Sequence, residues 1–297
     1  MDKPRIALIG VGMMGHGIAR NILKHGYALT VLEHAGNQPL DELKNSGARS
    51  EPGIPGLAAG ADIVILCVTG TPQVEAVLLG EGGVLQAMRP GTIVIDCSTA
   101  IPTSTERLAA EVQRAGGRFL DTPMTRSPKE AAEGRLNLLV GGDAALFAEC
   151  RPLLACFAEN ISHCGPVGAG HRMKLLHNFV SLGFVSLLAE AAACAQEAGV
   201  DTAVFVEVLG KGGGGGAALE RVKPYLTTRD PSALRFTVAN GVKDLGYYTT
   251  MAREAGAQHD IADSVLAALG QALDLGGPQA LMPELVSLFQ GAPATQA

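Results

Sequence analysis

Short, nearly all-apolar runs alternate with longer stretches rich in Ala, Leu and Glu through the first half of the chain. The runs are RIALIG, ALTVLE, ADIVILCVT, GTIVIDCST, GRFLDTP and LNLLVGG. Strands that are continuously apolar are covered on both faces, and their alternation with helical stretches implies a parallel sheet between two helical layers. From Gly165 the pattern changes. GPVGAG is a glycine-rich hinge, and beyond it only helical periodicity is evident, to about Phe289. The spacing predicts a long helix from about His171 to Ala198. The fold class expected is therefore α/β: a doubly wound sheet over residues 1–165, and an all-helical domain over residues 166–297 that this helix opens. Its most apolar stretch, FVSLGFVSLLA, is too short to span a bilayer and reads as a buried helix.

The chain has 297 residues, of which 47% are apolar and 18% charged, with 38 Gly and no Trp. That length lies at the limit that single cores usually reach, about 250 to 300 residues, and agrees with two domains. The balance excludes a disordered chain. A net charge of -6 gives no footprint for nucleic acid or a membrane surface. Six cysteines without a C-x-x-C pair read as reduced, largely buried thiols. Such thiols lead to the expectation of a cytoplasmic protein, and the opening MDKPRIALIG does not read as a signal peptide.

Candidate chemistry begins at the first strand. Gly10, Gly12 and Gly15, with Val11, Met13 and Met14 between them, form a G-x-G-x-x-G that follows a strand and opens a helix. The first glycine makes the turn, the second admits a pyrophosphate, and the third lets helix and strand pack closely. The sheet is therefore expected to be of the Rossmann type. The second strand ends in Glu33, where such a fold places the acid that bonds a ribose 2'-hydroxyl, which favours NAD, with NADP possible if His34 or Arg49 offsets the charge. A solvent-facing strand end is the plainer alternative.

In GAGHRMKLLHNFVSLGF, Lys174, Asn178 and Ser181 share one helical face. Partial desolvation would lower the pKa of the lysine and suit it to exchange a proton with a substrate oxygen, with Asn178 orienting it. A lysine that snorkels to water is the alternative. The strand ending at Asp96 delivers Ser98 and Thr99 to the carboxyl edge of the sheet, where such folds bind ligands; a helix N-cap is the plainer role for these residues.

IGVGMMGHGIARNILKHGY, DCSTAIP, DTPM, GPVGAGHRMKLLHN and KDLGYYTTMARE occur in an order and spacing that resembles the β-hydroxyacid dehydrogenases, the family of 3-hydroxyisobutyrate dehydrogenase and tartronate semialdehyde reductase. The resemblance covers nearly the whole chain. It implies an oxidoreductase that moves hydride between a nicotinamide cofactor and a short 3-hydroxy acid or its semialdehyde. Lys174 would be the catalytic lysine and Asn178 its partner, with Ser98 on the substrate acid, Thr99 on the cofactor and Lys243 closing over the nicotinamide side. It also implies a homodimer or homotetramer. Asp244, beside Lys243, reads as solvated on an exposed helix face.

The turn DTPMTRSPKE departs from that family, whose pattern after the proline is a small residue and two glycines. Arg126 stands where a glycine is usual. A forked, charged donor suits a larger or doubly charged oxyanion. The sulfolactaldehyde reductases resemble this chain here and at Ser181, which makes Arg126 the expected acid-group anchor, for a sulfonate or equally for a carboxylate. The alternative is a turn arginine paired with Glu130. Residues Gly212 to Gly216 could cover a ligand or simply link two helices.

Other classes find less support. No Tyr has Lys four residues on, as a short-chain dehydrogenase needs, and imine reductases typically lack a lysine at the position of Lys174. The seven histidines form no metal-ligand set, and no G-x-S-x-G is present. A non-catalytic NAD(H)-binding protein is the remaining alternative.

Overall fold

The computed structural model describes residues 3–290. Contacts divide the chain into two compact units, with the division after Lys174. The first unit opens with β1 (Ile6–Ile9), α1 (Met13–Lys24), β2 (Leu29–Leu32), α2 (Asp41–Asn45), β3 (Arg49–Glu51), α3 (Ile54–Gly60), β4 (Ile63–Leu66), α4 (Thr71–Leu79), α5 (Val84–Ala87) and β5 (Ile93–Asp96). It continues through α6 (Pro102–Arg114), β6 (Arg118–Asp121), β7 (Met124–Thr125), α7 (Pro128–Glu133), β8 (Leu136–Gly141), α8 (Ala144–Leu154), β9 (Ala158–Gly165) and the first turn of α9 (Ala169–Glu197).

The strand order β3-β2-β1-β4-β5-β6 is that of a dinucleotide-binding sheet, every pair in it parallel. β8 then runs antiparallel to β6 and β7, and β9 pairs parallel with β8. Burial follows the two-residue period of a strand. Ile6 and Leu8 enter one core with Ile63, Ile65, Ile93 and Ile95, whereas Ala7 and Ile9 enter the other with Val64, Leu66 and Val94. Helices therefore cover both faces, as the continuous apolar runs imply.

Six strands coincide with the apolar runs; three do not. β3 is Arg-Ser-Glu at the sheet edge, β7 has two residues, and β9 is a largely exposed edge strand whose polar sequence, AENISHCG, carries no apolar signal.

In the second unit α9 continues and is followed by α10 (Thr202–Lys211), α11 (Ala217–Thr228), α12 (Val238–Glu254), α13 (Asp260–Gly276), a 3-10 turn at Met282–Glu284 and α14 (Leu285–Gln290). Among the described residues it contains no strand, only one isolated bridge, Thr237 to Leu281. Leu182, Val185, Ala189, Val222, Leu245 and Leu269 meet in its core. The glycine run at 212–216 spans the gap between α10 and α11. The segment expected to be too short for a bilayer lies inside a longer helix. α9 has 29 residues and a window of mean hydropathy 1.5, enough to cross a membrane by length and composition, with half of that window buried inside the molecule. The Ala-rich residues after Leu188 extend the helix beyond the apolar segment. The thiols are all free, but Cys194 is exposed and Cys67 and Cys164 are only partly covered, so burial is less general than the composition suggests.

Candidate active site

Three glycines shape the turn after β1, for different reasons. Gly10 has φ 96°, and a Cβ on it would fall 2.2 Å from the carbonyl oxygen of Cys67 on the neighbouring strand end. A Cβ on Gly15 would fall 2.0 Å from the carbonyl oxygen of Gly10. Those two glycines are demanded by the protein itself. A Cβ on Gly12, the N-cap of α1, would meet no protein atom within 4 Å, and no side chain caps the helix there. The room at Gly12 and the amides of the first turn of α1 fit a pyrophosphate. Val11 is buried beneath this turn, Met14 is partly buried and Met13 is exposed.

Glu33 stands just past β2, at the rim of an open hollow of about 570 Å³ that His34, Asn37, Gln38, Lys44 and Pro52 also line. Its Oε1 accepts from the Ser50 hydroxyl at 2.6 Å and from Lys44 at 3.3 Å. Ser50 chiefly, and Lys44 after it, hold the Glu33 carboxyl below the usual range. The cation that approaches Glu33 is thus Lys44 rather than His34, whose Nδ1 accepts from the Gly36 amide. A surface hollow of this size accommodates a nucleoside, and the residues present suit one.

At the carboxyl ends of β5 and β6 lies a set of buried polar groups. Ser98 is 3% exposed; its amide donates to Asp96 Oδ1 at 2.9 Å, and its Oγ accepts from the Val68 amide at 3.0 Å. The N-cap of α6 is Ile101, without a side-chain cap bond, so neither Ser98 nor Thr99 performs the capping role. Thr99 is half-buried next to Ser98. Asp121 accepts from the Gly168 amide at 2.8 Å and the His171 amide at 2.9 Å, and so closes the first turn of α9. One turn on, Lys174 is 8% exposed and its Nζ donates to the Met124 carbonyl at 2.7 Å. A lysine that snorkels to water is not what this helix carries.

Met124 leads directly into the turn of interest. Arg126 has φ 80°, one of two non-glycine residues with positive φ among those described. The left-handed region costs a residue with a Cβ about 1 to 2 kcal/mol, which accounts for the glycine more usual at such turns. The guanidinium donates to the Arg135 carbonyl and to Glu159 at the start of β9. Its partner is not Glu130, which instead forms a capping box with Ser127 at the start of α7. Thr125 is buried, its Oγ1 accepting from Asn137 at 3.0 Å. In this state Arg126 is turned toward the strand edge.

The second unit holds its own polar cluster. Asn178 is 5% exposed, donates from Nδ2 to Asp244 Oδ2 at 2.6 Å, and lies 3.0 Å through Oδ1 from His177 Nδ1. Ser181 donates back to the Asn178 carbonyl at 3.4 Å. Lys243 Nζ lies 2.9 Å from Asp244 Oδ1, an ionic contact outside hydrogen-bond geometry, and 5.4 Å from the centre of the Tyr247 ring. Asp244 is 2% exposed, which corrects the expectation of a solvated residue. It is buried because α12 turns it inward to receive the Asn178 amide, and a carboxylate there needs such a partner.

The structure thus groups Ser98, Lys174 and the turn of Arg126 within the first unit, and Asn178, Ser181, Lys243 and Asp244 within the second. His171, Asp121 and Thr125 join the site without having been singled out by the sequence, and Asp244 joins it in place of the solvated role expected of it. A signal for Asp121 was present: IVID and RFLD are apolar strands that each end in an aspartate, a costly residue to bury without a task.

Two family models match the chain. The NAD-binding domain of 6-phosphogluconate dehydrogenase covers residues 5–165, and the NAD-binding domain of NADP-dependent 3-hydroxyisobutyrate dehydrogenase covers residues 168–289. Among curated relatives, an NAD-dependent L-serine dehydrogenase of Pseudomonas aeruginosa is 36% identical over 74% of this chain and 74% of its own length. A 2-(hydroxymethyl)glutarate dehydrogenase of Eubacterium barkeri is 31% identical over 88% of this chain and 85% of its own. The solved structure of Mycobacterium tuberculosis 3-hydroxyisobutyrate dehydrogenase with L-serine superposes with a TM-score of 0.86 at 25% identity, covering 98% of this chain and all of that one.

Proposed function

The chain belongs to the β-hydroxyacid dehydrogenase family and is an NAD(P)-dependent oxidoreductase; from that premise we propose that it interconverts a short 3-hydroxy acid and its semialdehyde, with Lys174 exchanging the proton at the substrate oxygen. The observation that carries this reading is the Lys174 amine, withdrawn from water and held on the Met124 carbonyl at the entrance to the acid-recognition turn. The bound nicotinamide supplies the acceptor or donor of hydride. In the oxidative direction the neutral Lys174 amine takes the hydroxyl proton as hydride leaves the carbinol carbon, which becomes the carbonyl. In the reductive direction its ammonium returns that proton to the oxygen.

Arg126 anchors the substrate's acid group, whether carboxylate or sulfonate. Holding an arginine in left-handed backbone where glycine would relax the chain supports a use for the side chain. To serve, the guanidinium exchanges Glu159 for the substrate oxyanion. The family resemblance assigns substrate contacts to Ser98, Asn178 and Ser181 and cofactor contacts to Thr99 and Lys243. The carboxylate of Glu33 favours NAD over NADP, since its charge repels a 2'-phosphate. Leu176, Val180, Phe184 and Leu187 form an exposed apolar stripe along α9, which supports burial against a second copy of the chain in a homodimer or homotetramer.

The test is the initial rate of cofactor reduction on 3-hydroxyisobutyrate, glycerate, 4-hydroxybutyrate, serine and 2,3-dihydroxypropanesulfonate, each with NAD and NADP. One acid oxidised well, with NAD preferred, is the expected result. Tight NADH binding with no turnover on any acid would favour a non-catalytic binding protein.

A further inference from the structure

His171 occupies a place that the reaction as proposed does not use. Its ring is fully buried, and both nitrogens are engaged. Nε2 lies 3.1 Å from the Ser98 carbonyl, and Nδ1 lies 2.9 Å from the Thr105 hydroxyl on α6. A carbonyl oxygen can only accept, so Nε2 carries a proton and donates it to Ser98. The Thr105 hydroxyl, also 3.2 Å from the Ile101 carbonyl, completes the ring's bonding on the other side. The His171 amide is spent on Asp121. One residue therefore links the ends of β5 and β6, the start of α6 and the first turn of α9, all within the first unit.

We propose that His171 is a positioning residue: it fixes the Ser98–Thr99 segment against the turn of α9 that bears Lys174, so that substrate-binding hydroxyl and proton-exchanging amine keep one spacing. This inference rests on the roles given above to Ser98 and Lys174. Lys174 follows His171 by three residues, so any shift of the first turn moves the amine. Ser98 cannot shift toward the sheet, because its amide and hydroxyl are tied to Asp96 and Val68. Two acids face the ring, Asp121 Oδ2 at 3.8 Å from Nδ1 and Asp96 Oδ2 at 4.0 Å from Nε2. Asp96 Oδ2 has no hydrogen-bond partner, and burial holds this carboxyl above its ordinary range. An apolar side chain of equal volume would fill the same space and leave the buried Ser98 carbonyl without this donor, a defect of position more than of packing.

Two variants of nearly equal volume separate positioning from packing. His171→Gln keeps a nitrogen donor of similar reach, and His171→Met lacks one. With the acid that the wild type oxidises best, His171→Met lowers kcat by roughly 10- to 100-fold, the size of effect that a misplaced reacting group produces, with NADH affinity unchanged; His171→Gln recovers most of the loss. Amide hydrogen exchange, read without substrate, shows protection at Ser98 to Ala100 falling in the Met variant and returning in the Gln variant. ¹⁵N-histidine spectra of the wild type show a slowly exchanging Nε2–H. Equal kcat and equal exchange in the two variants, or an unprotonated Nε2, would overturn the link. If the wild type oxidises no hydroxy acid, the proposed reaction fails while exchange and spectra still decide whether His171 holds Ser98.

Discussion

Two turns in the first unit answer the same backbone demand in opposite ways. After β1 the chain turns through left-handed backbone at residue 10, and the position is glycine because a Cβ would collide with the Cys67 carbonyl. After β7 it does so again at residue 126, and the position is arginine, whose side chain finds the Arg135 carbonyl and Glu159. The first turn is set by steric crowding that any folded copy of the protein must respect. The second accepts a local strain to keep a guanidinium in place. Gly10 thus reports on the packing of the protein, whereas an arginine kept where glycine would be easier supports the use proposed for its side chain.

The first turn tolerates substitution least. Gly10→Ala adds a backbone clash to a positive φ, about 1 to 2 kcal/mol for the dihedral and about 1 to 3 for the overpacking, a large share of ordinary stability. Little folded protein is expected, as judged by thermal denaturation and soluble yield. Gly12→Ala is the internal control. Its Cβ meets no protein atom, so stability falls only by the roughly 0.5 to 1 kcal/mol that alanine costs at an N-cap, while NADH affinity falls by about tenfold or more, equivalent to about 1.4 kcal/mol. A loss of stability at Gly12 comparable to that at Gly10 would mean that the protein, and not a ligand, requires glycine there.

At the second turn the prediction inverts. Arg126→Gly relieves about 1 to 2 kcal/mol of dihedral strain, and forfeits an ion pair with a half-exposed partner worth about 0 to 1 kcal/mol. The greater freedom of glycine in the unfolded chain offsets part of that relief, about 0.5 to 1 kcal/mol, so Tm changes little. KM for the acid substrate rises roughly 10- to 100-fold, as removal of a charged hydrogen bond of about 1.5 to 3 kcal/mol requires. Lowered stability with unchanged KM would make the arginine a structural tie to Glu159. The smallest effect is expected at Glu33→Gln, which keeps the shape and removes the charge. The ratio of kcat/KM with NAD to that with NADP should fall by about tenfold, a difference of about 1.4 kcal/mol between the two cofactors; an unchanged ratio would remove Glu33 from cofactor choice.

The same contrast explains what the sequence reveals. The glycines at 10, 12 and 15 and the apolar strands are legible because sterics and burial act on residue type directly. β3 and β9 are not, since an edge strand needs hydrogen bonds but no apolar face. Lys174 is identifiable as a lysine in an apolar helix, yet its hold on Met124 depends on a residue fifty positions earlier. Asp244 reads as a surface acid because KDL looks like any polar helix segment; its burial follows from Asn178, 66 residues away. His171 gave no signal for the same reason, since its partners come from three other segments of the chain.

In the proposed reaction a buried lysine, with a bound nicotinamide, exchanges the substrate proton. The most direct measurement is the single-turnover rate of hydroxy-acid oxidation by Lys174→Ala, beside its NADH affinity. The expected result is a rate lower by about 10² to 10⁴-fold, the usual contribution of a positioned acid or base, with NADH affinity retained. A rate within a few-fold of wild type would remove Lys174 from proton exchange.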